Sequence, residues 1–130
     1  LGSPEGTGIS PLRPLAVALA AGAGFIARAF SGDPNGIAQL LVEAIRYPGF
    51  ALLQILSPCV TYRPEEKDWK HQVHAAGIEA TADPVEAARR LFADDGMTTG
   101  VLYRAELPPY PAAVNTAATT LTTLEAGLAL

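Results

Sequence analysis

Residues 50–56 (FALLQIL) are apolar except for Gln54. That is the composition of a strand covered on both faces, as in a parallel sheet flanked by helices. The segment before it strengthens the reading. Asp33-Pro34 is a helix start, and Ile37, Leu40, Leu41, Ala44 and Ile45 follow at helical spacing until Tyr47-Pro48-Gly49 ends the run. Earlier still, residues 24–30 (GFIARAF) are short, apolar and bounded by Gly22 and Gly24 on one side and Ser31-Gly32 on the other, which favours a strand with Arg28 near its end. Strand, helix, strand in that order predicts a right-handed βαβ unit with residues 50–56 at the sheet centre. The expected fold class is α/β, a partial parallel sheet flanked by helices.

The remaining elements fit around that unit. Pro14 to Gly22 predicts a helix with Leu15, Ala18, Leu19 and Gly22 on one face. Residues 63–70 (RPEEKDWK) read as an exposed, charged excursion carrying Trp69, and 71–82 are ambiguous. Asp83, Pro84 and Glu86 have the spacing of a capping box, opening a helix with Val85, Ala88 and Phe92 on one face; Asp94-Asp95-Gly96 stops it. Residues 100–104 (GVLYR) predict a last strand, ended by 107–111 (LPPYP). The expected division is an α/β domain over 1–111 and an Ala/Thr-rich tail over 112–130, helical or disordered. The first dozen residues read as a loop with no preceding element, so the chain is expected to be a segment of a longer protein.

Composition narrows the function classes. The 130 residues are 49% hydrophobic and 17% charged, and 13 acidic against 9 basic side chains give a net charge of −4, consistent with one domain or slightly less. No Lys/Arg cluster provides a footprint for phosphate backbones, so nucleic-acid binding is not expected. No apolar run reaches the ~18 to 20 residues that cross a bilayer. The expected setting is cytoplasmic, away from membranes.

The single cysteine, Cys59, follows Ser57-Pro58 just beyond the 50–56 strand, at the carboxyl end where open α/β sheets bind ligands. A lone cysteine is most often a small packed hydrophobe, but a proline-fixed turn here can project the sulfur outward as a ligand or nucleophile. A thiol enzyme would need His71 or His74 as base, and a Cys59, His71, His74 zinc site matches no common spacing and lacks a fourth ligand. Gly6-Thr7-Gly8 and Gly22-Ala23-Gly24 are not phosphate loops, because neither follows a strand and opens a helix. Glu65-Glu66, Asp94-Asp95 and Arg89-Arg90 are explained by a hydrophilic loop, a helix terminus and a solvated face.

Four co-linear stretches carry a more specific signal: PLAVALAAGAGFIARAFSGDP, LVEAIRYPGFALLQILSPCVTY, the Asp83-Pro84 helix start, and GVLYRAELPPY. Together they resemble the carboxyl-terminal part of the thiamine-diphosphate-binding beta subunit of 2-oxoacid:ferredoxin oxidoreductases, particularly the 2-oxoglutarate or generic 2-oxoacid type. SPCVTY after an aliphatic strand is the most specific of them. The resemblance implies a thiamine-diphosphate-binding type of fold and a [4Fe-4S] cluster whose fourth ligand is Cys59, with contacts around it from Ser57, Val60 and Thr61. It also implies thiamine diphosphate and Mg held mainly by residues outside this chain, since the family's other three cluster cysteines and its Gly-Asp-Gly motif do not occur here.

The implied reaction of the complete enzyme is coenzyme-A-dependent oxidative decarboxylation of a 2-oxoacid with electrons passed to ferredoxin. An alpha subunit is the implied partner within an oligomer, and the isolated segment is expected to be inactive. Where family members usually carry an Asn after the S-P-C segment, this chain continues Arg63-Pro64-Glu65, which leaves the substrate open. The alternative expectation is a non-catalytic α/β interaction module with Cys59 as a buried structural residue.

Overall fold

The structure, a computed structural model, describes residues 8–107. The expected tail over 112–130 lies outside the described residues. Strand β1 (Phe25–Phe30), helix α2 (Pro34–Arg46) and strand β2 (Ala51–Leu56) form the expected unit, with β1 and β2 parallel from Phe25↔Ala51 to Phe30↔Leu56. Helix α1 (Pro14–Ala20) precedes β1. After β2 come a 3₁₀ turn (Pro64–Asp68), the one-turn helix α3 (Trp69–Gln72), strand β3 (His74–Ala75), helix α4 (Pro84–Ala93) and strand β4 (Thr98–Arg104). The sheet order is β2-β1-β4-β3. It is mixed: β4 runs antiparallel to β1 and parallel to β3.

The sheet centre differs from the sequence expectation. Among the described residues β2 is an edge strand with side chains only partly covered, while Phe25, Ile26 and Ala27 of β1 are 0% exposed. The reason is the alternation of side chains along β1. Ile26 meets Leu15 and Ala18 of α1 and Ala87 and Leu91 of α4, whereas Phe25 and Ala27 meet Tyr47, Leu40 and Ala44 on the α2 side. Full burial of a Phe or Ile side chain contributes roughly 1.5–3 kcal/mol, so the strand covered on both faces anchors the fold.

Local sequence fixes the helix ends. Asp33 Oδ1 accepts the Gly36 N–H at 3.0 Å and Asp83 Oδ1 accepts the Val85 N–H at 2.9 Å, caps worth about 1 kcal/mol each. The capping box at Asp83 is only half formed, because Glu86 turns to Arg89 and Arg90 at 2.7–2.8 Å instead of back to the cap. The buried face of α4 is also not the expected one. Ala87 and Leu91 point inward, while Val85 and Phe92 are 75% and 60% exposed. Arg13 stacks over the Phe92 ring and donates to the Phe92 carbonyl at 3.0 Å, closing the open end of α4.

Candidate functional site

Strands β1 and β2 end side by side, joined by the Ser31 N–H donating to the Leu56 carbonyl at 2.8 Å. The chain leaves β2 through Ser57-Pro58-Cys59, so the candidate loop stands beyond the carboxyl end of a parallel pair, the position where open α/β sheets bind ligands. At the same end, a cleft of about 280 Å³ opens beside Phe30, Asp33, Gly36, Val73 and Thr99.

The Cys59 turn is held on both sides. Its carbonyl accepts the N–H groups of Tyr62 and Arg63 at 3.1 and 2.9 Å. Its N–H donates to Glu66 Oε2 at 2.7 Å. Glu66 lies in the segment expected to be wholly exposed, yet its side chain is 6% exposed and its Oε1 sits 3.2 Å from Arg63 Nη1. The 3₁₀ turn starting at Pro64 turns this carboxylate inward beneath the cysteine. Arg63-Pro64-Glu65-Glu66, a proline with acids in the first turn, is the sequence signal for that start.

Cys59 itself is an exposed free thiol. This corrects the alternative expectation of a buried structural cysteine: the turn lifts residue 59 clear of the sheet. Ser57, Val60 and Thr61 are exposed beside it, and Val60 and Tyr62 leave 52% and 76% of their surface uncovered. The four expected site residues thus share one surface at the end of β2.

The histidines serve elsewhere. His71 is exposed on α3, and His74 on β3 contacts Gln72 O at 2.9 Å, Thr98 Oγ1 at 3.3 Å and Asp95 at 3.8 Å. No group of three or more His, Cys, Asp or Glu side chains among the described residues could hold a metal ion, which removes the Cys59, His71, His74 zinc site. A thiolate-ligated cluster fits differently: Cys59 supplies one exposed thiol of the required soft-donor chemistry, and the remaining thiolates have no source among this chain's residues.

A second polar group was missed from sequence. Arg28, in the middle of the sheet, donates from Nε to Gln54 Oε1 at 2.9 Å and from Nη1 to the Thr98 carbonyl at 3.0 Å. The same Nη1 pairs with Asp94 Oδ2 at 2.6 Å. An arginine inside an apolar strand is the signal for such a network, since a buried charge must find a partner. Burial alone would push the Asp94 carboxyl up, but bonds from Thr98, Arg28 and the Gly96 N–H, with the Arg28 charge, hold it below the usual range.

Comparison with known proteins agrees with this architecture. A solved 2-oxoglutarate:ferredoxin oxidoreductase from Magnetococcus marinus, with 2-oxoglutarate, coenzyme A and succinyl-CoA bound, superposes with a TM-score of 0.70 at 29% identity, over 82% of this chain and 38% of that chain. The 2-oxoacid:ferredoxin oxidoreductase beta subunit of a Sulfolobus species is 29% identical over 113 residues, 75% of this chain and 37% of that protein. The chain is thus similar to a 2-oxoacid:ferredoxin oxidoreductase beta subunit. The beta subunit of 2-oxoacid:ferredoxin oxidoreductase 1 of Aeropyrum pernix is 41% identical over 76 residues, 57% of this chain and 24% of that protein. No protein-family model matches the chain. The matched region spans 24% to 38% of the lengths of these beta subunits and of the solved chain. No helix among the described residues is long and apolar enough to cross a membrane.

Proposed function

We propose that these residues form the carboxyl-terminal part of the thiamine-diphosphate-binding beta subunit of a 2-oxoacid:ferredoxin oxidoreductase. Residues 8–107 belong to its α/β domain. Cys59 gives one thiolate to a [4Fe-4S] cluster. The supporting observation is the exposed thiol on a fixed turn at the carboxyl end of β2, in a chain that superposes over 82% of its length on a related enzyme.

When bound, thiamine diphosphate with Mg supplies decarboxylation chemistry and the cluster accepts electrons for ferredoxin. The share of this chain is narrower. Cys59 holds one corner of the metal site, Ser57, Val60 and Thr61 surround it, and the exposed Val60 and Tyr62 are covered when the remaining protein packs against them. The diphosphate and Mg are held mainly by residues outside these 130. Coenzyme A, an alpha subunit and ferredoxin are the partners of a cytoplasmic oligomer.

The test is turnover of the complete enzyme purified without oxygen. Wild type should reduce a low-potential acceptor only when a 2-oxoacid and coenzyme A are both present, and Cys59→Ser should lose that activity while still assembling with the alpha subunit. Wild-type turnover by Cys59→Ser removes the assignment.

A further inference from the structure

We propose that Glu66 is a positioning residue for Cys59, fixing the turn that presents the thiolate and lowering the reduction potential of the cluster held there; this rests on the reading of Cys59 given above. Two observations carry it. First, both backbone polar groups of Cys59 are committed, the carbonyl to Tyr62 and Arg63 and the N–H to Glu66 at 2.7 Å. With both fixed, the direction of the Cα–Cβ bond, and so the reach of the sulfur, is set before any metal arrives.

Second, the acceptor is a charged side chain that is 6% exposed, in a segment whose neighbours Glu65 and Lys67 are exposed. A turn N–H is satisfied as well by water or a short polar side chain, and burying a carboxylate carries a desolvation cost that such partners avoid. The charge has an electrostatic consequence. A negative group against the backbone of a ligating cysteine disfavours adding an electron to the cluster, and a captured N–H is one fewer donor available to cluster sulfur; both lower the potential. Arg63 offsets this weakly, because its side chain is 64% exposed and shared with Glu65, so water screens it more than it screens Glu66.

The experiment uses the full-length subunit in its complex, prepared anaerobically, with Glu66→Gln, Glu66→Ala and Cys59→Ser. Iron content, visible absorption and the midpoint potential from a titration followed by electron paramagnetic resonance are measured for each. Glu66→Gln should keep wild-type iron, since the amide oxygen still accepts the Cys59 N–H, but titrate at a higher potential. Glu66→Ala should also titrate higher and yield iron to a chelator faster than Glu66→Gln. An unchanged potential in Glu66→Gln, with the cluster lost in Cys59→Ser, overturns the role of Glu66 and leaves Cys59 as a ligand. A folded Glu66→Gln protein without iron also contradicts it. Wild-type iron and potential in Cys59→Ser overturn the reading of Cys59 itself.

Discussion

Arg28 Nη1 lies 2.6 Å from Asp94 Oδ2, with the two side chains 8% and 10% exposed, and this pair ties the central strand to the turn after α4. Removing one partner of such a pair leaves a buried charge, a loss of about 3–5 kcal/mol. Arg28→Met should therefore destabilise the domain by that order, measured by chemical denaturation. Arg28→Met with Asp94→Leu should recover part of the loss, because neither charge remains. A double variant as unstable as the sum of the singles would show that the two residues do not act as a pair.

Two carboxylates, Glu86 and Asp94, set an acid limit. Hydrogen bonds from Arg89 and Arg90 hold Glu86 down to about 2 from an ordinary 4.5, and Asp94 lies below its ordinary 3.8 for the reasons given above. The unfolded chain binds more protons than the folded one between the depressed and ordinary values. Their contribution is thus fully present above the ordinary carboxylate range and is lost as pH falls through the depressed values. The thermal midpoint should drop on acidification below about 4.5, and Asp94→Asn should flatten that slope. An equal slope in wild type and Asp94→Asn contradicts the assignment.

Gly24 and Tyr47 interlock where β1 begins. A Cβ at Gly24 would overlap the Tyr47 hydroxyl, which donates to the Ala105 carbonyl at 3.1 Å. Gly24→Ala must push the ring out of the buried cluster it forms with Phe25 and Ala27. The expected loss exceeds that of Tyr47→Phe, which removes only a hydrogen bond worth about 1 kcal/mol. Equal losses would mean that the ring moves freely.

The alternation of apolar segments made the α/β class, both strands of the parallel pair and both long helices legible in the sequence, because period and caps are local. The rank of the strands was not. FALLQIL is more continuously apolar than FIARAF, yet among the described residues β2 is at the sheet edge while β1 lies inside the sheet with helices on both faces. Arg28 hid this by interrupting the pattern with a charge whose partners, Gln54, Asp94 and Thr98, lie 26 to 70 residues away. The candidate loop was legible from Ser57-Pro58-Cys59, whereas Glu66 was not, since its burial depends on the 3₁₀ turn folding back under Cys59. In α4 the choice of face was settled by α1 and β1, which meet Ala87 and Leu91.

Strand rank is testable at one cross-strand pair. Ala27 and Leu53 are register partners on β1 and β2, the first 0% exposed and the second partly covered. An aspartate at either position costs in proportion to how far it is desolvated. Ala27→Asp should prevent accumulation of folded protein, whereas Leu53→Asp should fold with a lowered denaturation midpoint. The reverse ranking would restore β2 as the buried centre.

The most direct measurement is the iron content and visible spectrum of the full-length subunit after anaerobic reconstitution, wild type against Cys59→Ser. The account predicts a brown wild type with about four irons per subunit and a variant that retains less iron with altered absorption. A Cys59→Ser protein matching wild type in colour and iron, or a wild type free of iron, would contradict it.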